Sequence, residues 1–184
     1  MSRPLDRVRA PFPWFGGKRR AAALIWRALG DPPNYVEPFF GSGASLLARP
    51  PKLPARARTE TRVLGPSVTT GIGLTGVLLD PPYLVAAGRD PSIYAEEDGT
   101  ASERARAWAL EHGDDPKLRI VLCGYEGEHE MPASWRVVKW KAAGGYAAAA
   151  GNGENAERER LWLSPHCLRF EPEPEQLQLL EASG

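Results

Sequence analysis

The chain has 184 residues, of which 42% are hydrophobic and 25% charged, proportions that suit one soluble globular domain with a real core. Its 23 basic and 23 acidic side chains cancel, so no global field draws it to nucleic acid, and two cysteines with three scattered histidines (His112, His129, His166) supply neither a disulfide framework nor metal-ligand spacing. No charged-then-apolar leader opens the chain and no apolar run nears membrane-spanning length, so we expect a cytoplasmic protein with no membrane contact and no metal.

Taken in order, the first thirty residues are locally basic, with Arg3, Arg7, Arg9, Lys18, Arg19, Arg20 and Arg27 against Asp6. Gly16-Gly17 break the chain before a helix predicted over 17–29, whose stripe is Ala21, Leu24, Ile25 and Ala28. Asn34–Phe39 reads as a short strand, Gly41-Ser42-Gly43 as a tight turn, and Ala44 as the start of a helix cut short by Pro50, Pro51 and Pro54. Residues 50–62 form a proline- and arginine-rich linker, where Arg49, Lys52, Arg56, Arg58 and Arg62 make a second basic cluster. Such clusters suit phosphate contact, although solvated surface arginine is the commoner reason for each.

A short strand near Arg62-Val63-Leu64 precedes the apolar run Gly76-Val77-Leu78-Leu79. Thr100-Ala101-Ser102-Glu103 has capping-box spacing and opens a helix that Gly113 closes. Arg119–Cys123 is an apolar strand in which Cys123 reads as a buried small hydrophobe. Arg136–Trp140 and Arg160–Leu163 alternate as strands around a Gly/Ala/Asn-rich loop at 143–155. Strands interleaved with helices, then an antiparallel pair, predict an α/β sheet with a reversed edge. The tail 171–184 is acidic and is expected to be disordered.

Three segments carry chemistry. Asp80-Pro81-Pro82-Tyr83 ends an apolar strand with a carboxylate for an exocyclic amine, a carbonyl at Pro81 for its second N–H, and an aromatic face at Tyr83. Pro82 has no N–H to compete and stiffens the turn; base stacking on an aromatic is worth roughly 1–3 kcal/mol. A proline-stiffened turn with a capping aspartate explains the same four residues equally well when they stand alone. Gly41-Ser42-Gly43 lets a nucleotide-like cofactor approach the backbone, with Glu37 at the end of the same strand, although short G-x-G turns are common. Pro11-Phe12-Pro13-Trp14-Phe15-Gly16-Gly17-Lys18 pairs an aromatic platform with a lysine at a helix start. There the helix dipole disfavours a cation, which points to an anionic partner for Lys18.

PFPWFGGK, VEPFFGSGA and DPPY, in that order, resemble the Dam-type DNA adenine-N6 methyltransferases, over residues 11–49 and about 76–168. The resemblance implies a Rossmann-like sheet of the S-adenosylmethionine (SAM)-dependent methyltransferases, abbreviated and ending in an antiparallel hairpin, over 1–170. It implies SAM as cofactor, double-stranded DNA with a flipped base as partner, and a monomer; enzymes of this kind occur in restriction-modification, phage and orphan settings. By the same resemblance Trp14 and Lys18 would contact SAM. Phe39, Gly41 and Gly43 would shape the methionine pocket beside Glu37. Asp80 would lie between cofactor and amine, with Pro81, Pro82 and Tyr83 completing the catalytic set.

The chain departs from the family in two ways. Its members usually carry a target-recognition domain between the SAM motif and DPPY, whereas residues 44–79 leave room only for a shortened linker at 50–75. They also carry a ribose-binding acid after the second strand, and the first acid after Glu37 here is Glu60, within the linker. Loss of that strand would bare a sheet edge. Three readings therefore stand side by side: an adenine-specific DNA methyltransferase, a non-catalytic remnant that binds DNA or a partner, and a methyltransferase of cytosine N4 or an RNA base.

Overall fold

A computed structural model describes residue 18 and residues 21–50, 73–83, 100–140 and 157–170. The expected strand at 62–64, the loop at 143–155, the acidic tail, Trp14 and Glu60 lie outside these residues. The described elements are α1 (Ala22–Leu29), β1 (Asn34–Val36), α2 (Ala44–Leu47), β2 (Thr75–Leu79), α3 (Ala101–His112), β3 (Leu118–Tyr125), β4 (Arg136–Lys139) and β5 (Glu159–Leu163).

The five described strands form one mixed open sheet in the order β1-β2-β3-β5-β4. β1, β2 and β3 are parallel, and β5 runs antiparallel between β3 and β4. This is the α/β sheet with a reversed edge, an arrangement compatible with a Rossmann-like fold. Among the described residues β1 pairs only with β2, which leaves its other side as an edge.

Strand alternation divides the core in two. Leu78, Val121, Cys123, Leu161 and Leu163 pack under α1, while Val77, Leu79, Ile120, Leu122 and Trp162 pack under the Ala105 and Ala109 face of α3. Helices on both faces explain why β2 and β5 are buried along their whole length, and why β2 ends in the unbroken apolar run Val77 to Leu79. Cys123 is fully buried in this core, as its apolar neighbours suggested.

Several boundaries differ from the sequence expectation. α1 begins at Ala22 rather than 17, with Lys18 in a turn before it. Lys18 is buried, and a helix running back through it would carry that ammonium toward the positive end of the dipole. β1 stops at Val36, since Pro38 lacks the N–H a longer ladder would need. The Thr100 side chain makes no capping bond; Thr100 itself is helical at φ −95°, and Ser102 Oγ donates instead to Glu128 Oε1 at 2.6 Å. Gly113 ends α3 without a left-handed turn (φ −62°), and its lack of a side chain serves packing, because a Cβ there would lie 2.6 Å from Trp135 Cζ2. Arg49 does not reach outward for phosphate: it pairs with Asp31, donates to the Pro32 carbonyl at 2.8 Å and lies over the Trp26 ring.

Candidate functional site

The carboxyl ends of the parallel strands gather the charged side chains. Glu37 follows β1, Asp80 follows β2, Tyr125 ends β3, and Glu159 opens antiparallel β5 directly opposite Tyr125. Counting in twos from Tyr35, Leu78, Cys123 and Leu161 puts all four on the face covered by α1. Lys18, in the turn before α1, reaches down onto the same spot. β4 ends there too, bringing Trp140, whose backbone N–H donates to the Glu159 carbonyl at 3.4 Å.

Lys18 Nζ lies 3.0 Å from Asp80 Oδ1 and 3.6 Å from Glu159 Oε2. It also sits over the Tyr83 ring at 4.7 Å and the Trp140 ring at 5.7 Å. Tyr83 donates its hydroxyl to Glu159 Oε2 at 2.7 Å and meets Tyr125 edge-on at 4.6 Å. Beside this group the Tyr35 hydroxyl donates to Glu37 Oε2 at 2.9 Å, and Tyr35 leans on Trp26 at 4.8 Å.

Burial alone would lower the Lys18 ammonium, but Asp80 and Glu159 outweigh it and hold the group far above the ordinary lysine range. Burial pushes the Asp80 carboxyl up while Lys18, 3.0 Å away, pulls it back. Glu159 is likewise raised by burial, against the pull of Lys18 and the Tyr83 hydroxyl. Among the described residues no ammonium pairs with Glu37; burial, with nearby Asp80 adding to it, raises its carboxyl to about 8. Two carboxylates, Asp80 and Glu159, thus share one ammonium, with Glu37 next to them raised toward its protonated form; the remaining negative charge suits a cationic or amine-bearing ligand. Asp80 is the accessible member of the cluster, with a side chain 20% exposed against 3% for Lys18 and 7% for Glu159.

The glycine turn contributes shape. Gly41 and Gly43 both take positive φ (50° and 68°), and a Cβ on Gly43 would stand 2.7 Å from the Phe40 ring. Gly43 thereby brings Phe40 down on the turn that starts α2, while Phe39 packs against the α3-side core. Of the residues singled out in the sequence, Lys18 and Asp80 are in contact, Tyr83 joins them through Glu159, and Glu37 stands next to them. Pro81 is buried and Pro82 partly so. Phe39, Gly41 and Gly43 belong to the turn beyond Glu37. The Tyr83 ring is only 7% exposed, and Lys18 and Tyr125 occupy positions around it.

Sequence reasoning missed Glu159, Tyr35, Tyr125 and Trp140. Glu159 had a readable signal, since it stands two residues before Leu161 and four before Leu163, in phase with their buried face. The Trp140 indole N–H, buried beside the cluster, has no hydrogen-bond partner among the described residues. Among those residues no group of three or more His, Cys, Asp or Glu is disposed to hold a metal ion, and no helix is long and apolar enough to cross a membrane. Comparisons with models of protein families, with curated proteins and with solved structures gave no match.

Proposed function

We propose that the chain is a SAM-dependent methyltransferase that acts on N6 of a flipped adenine in double-stranded DNA. The observation that carries the reading is Asp80: a carboxylate at the end of a parallel strand, the accessible member of a buried cluster with surplus negative charge, followed by Pro81, Pro82 and Tyr83. Ligands of open α/β sheets bind outside this end of the strands.

The residues present fit the cofactor in charge, since the single ammonium of Lys18 stands against both Asp80 and Glu159, and a cationic sulfonium would offset the remaining negative charge. When bound, SAM would supply an electrophilic methyl group: the amine nitrogen would take it as the carbon–sulfur bond breaks, S-adenosylhomocysteine would leave as a neutral thioether, and the surplus amine proton would pass by way of the Asp80 carboxylate to solvent. The adenine amine donates one N–H to Asp80 and the other to the Pro81 carbonyl, which draws the nitrogen lone pair out of the ring and aims it. Tyr83, 7% exposed with Lys18 over its ring, would offer the base only the small part of its ring left open, and contact there would offset part of the few kcal/mol of flipping. Lys18 keeps Asp80 ionised and ready to accept. No protein nucleophile is required, and burial holds the Cys123 thiol neutral.

Incubation with methyl-labelled SAM and adenine-containing duplex is expected to leave label on N6-methyladenine after digestion and chromatography, and Asp80→Ala is expected to abolish it. Transfer that survives Asp80→Ala would refute the mechanism. Label on cytosine N4 or on RNA would redirect it to another planar amine. One observation favours a non-catalytic remnant: Lys18 occupies an oxygen of Asp80 and Glu159 holds the Tyr83 hydroxyl, so the corner is closed on itself. Absence of both transfer and SAM binding would select that reading.

A further inference from the structure

The residue that joins the two halves of this corner is not in the DPPY segment. Glu159 Oε2 accepts the Tyr83 hydroxyl at 2.7 Å and lies 3.6 Å from Lys18 Nζ, which is itself 3.0 Å from Asp80 Oδ1. A single buried oxygen therefore sets the position of the aromatic ring and competes with Asp80 for the ammonium. The basic neighbour of Glu159 does not relieve it of charge. Arg160 points to the other face of β5, pairs with Glu126 at 2.7 Å and donates to the carbonyls of Glu157 and Glu159. Glu159 is also fixed from both sides, by its register opposite Tyr125 on β3 and by the Trp140 N–H at the end of β4.

We infer that Glu159 is a positioning residue: it draws Lys18 partly off Asp80 and pins Tyr83, so that the Asp80 carboxylate stays available to the amine. The inference rests on the methyltransferase reading for its consequence, but the network itself does not. With Glu159 present, Lys18 is shared between two carboxylates, and neither is fully neutralised. With glutamine in its place the amide oxygen still accepts from Tyr83, but it carries no charge, so among the described residues Asp80 becomes the one carboxylate paired with Lys18. That tighter pair takes from the amine the acceptor it needs.

Steady-state kinetics of the full chain with SAM and duplex DNA test the role. Glu159→Gln is expected to lower kcat about tenfold while both KM values stay within about threefold, the pattern of an interaction used in the transition state. Glu159→Asp, which keeps the charge, is expected to recover part of the loss. Turnover of Glu159→Gln equal to wild type, or a loss confined to KM, would overturn the role. A second measurement stands apart from catalysis and spares Glu159 itself: the carboxyl titration of Glu159 followed by carbon-13 NMR. Tyr83→Phe and Lys18→Met each remove a contact that favours the ionised form, so each is expected to move the Glu159 midpoint upward. A midpoint unmoved in both variants would remove the network. A chain that transfers no methyl group yet shows both upward movements keeps the network and loses only the methyltransferase reading.

Discussion

The two ends of the sheet handle buried polarity in opposite ways. At the amino ends of the parallel strands, the partly buried Arg49–Asp31 pair and Arg119 aside, the buried polar side chains are neutral and serve the backbone. Asn34 donates to the Leu74 carbonyl and Thr75 to that of Gly73; Ser164 Oγ accepts the Ile120 N–H at 2.9 Å, and Cys167 donates to the Ile120 carbonyl. At the carboxyl ends Lys18, Asp80, Tyr83 and Glu159 bond mainly to one another, and Glu37 bonds to Tyr35. Polar groups that satisfy main chain are explained once the fold is made. A buried charged network whose members satisfy each other contributes little net stability against an apolar alternative, so its presence calls for a chemical reason.

This contrast can be broken or sharpened by substitution, the largest effect first. Lys18→Met leaves Asp80 and Glu159 facing each other without their cation, and removing one partner from a buried ion pair costs about 3–5 kcal/mol. Urea denaturation at neutral pH measures it, and a loss within error would mean that the carboxyl-end charges are better solvated than their burial implies.

Glu37 offers a pH test whose sign is fixed. Its carboxyl is raised from 4.5 to about 8, so the folded chain binds that proton more tightly than the unfolded one. Stability from this group is therefore complete at acid pH and drains away as pH rises through that window. Glu37→Gln is expected to match wild type near the acid end and to exceed it above the window, by a few kcal/mol at most. Parallel stability curves for the two proteins would contradict the assignment.

At the opposite end Ser164→Ala strands the Ile120 N–H and is expected to cost about 1–3 kcal/mol. It should leave the ligand affinity of the carboxyl end unchanged; an equal loss of affinity would erase the distinction between the two ends. Smallest of all, Val137→Thr on the exposed side of β4 is expected to shift stability by no more than about 0.5 kcal/mol.

Much of this division was legible in the sequence, for reasons that differ by residue. β2 and β3 were readable because both faces are covered, which makes Val77 to Leu79 and Ile120 to Cys123 unbroken apolar runs. The site at the end of β2 was readable because Asp80 and its prolines are contiguous. Lys18 was flagged by its poor fit to a helix start, and its anionic partners are Asp80 and Glu159, with the helix beginning later instead. The burial of Glu159 was legible from its phase with Leu161 and Leu163, but its partners were not, because the contact with Tyr83 spans a separation of 76 residues and depends on β5 entering between β3 and β4. The capping-box spacing at Thr100 misled because Glu128 claims Ser102 and Thr100 takes a helical conformation.

The most direct measurement of the central claim, that the charged carboxyl end is a SAM site, is a calorimetric titration of the full chain with SAM. The account predicts saturable binding in the micromolar range that is lost in Lys18→Met and kept in Val137→Thr. A flat titration of the folded wild-type chain would contradict it.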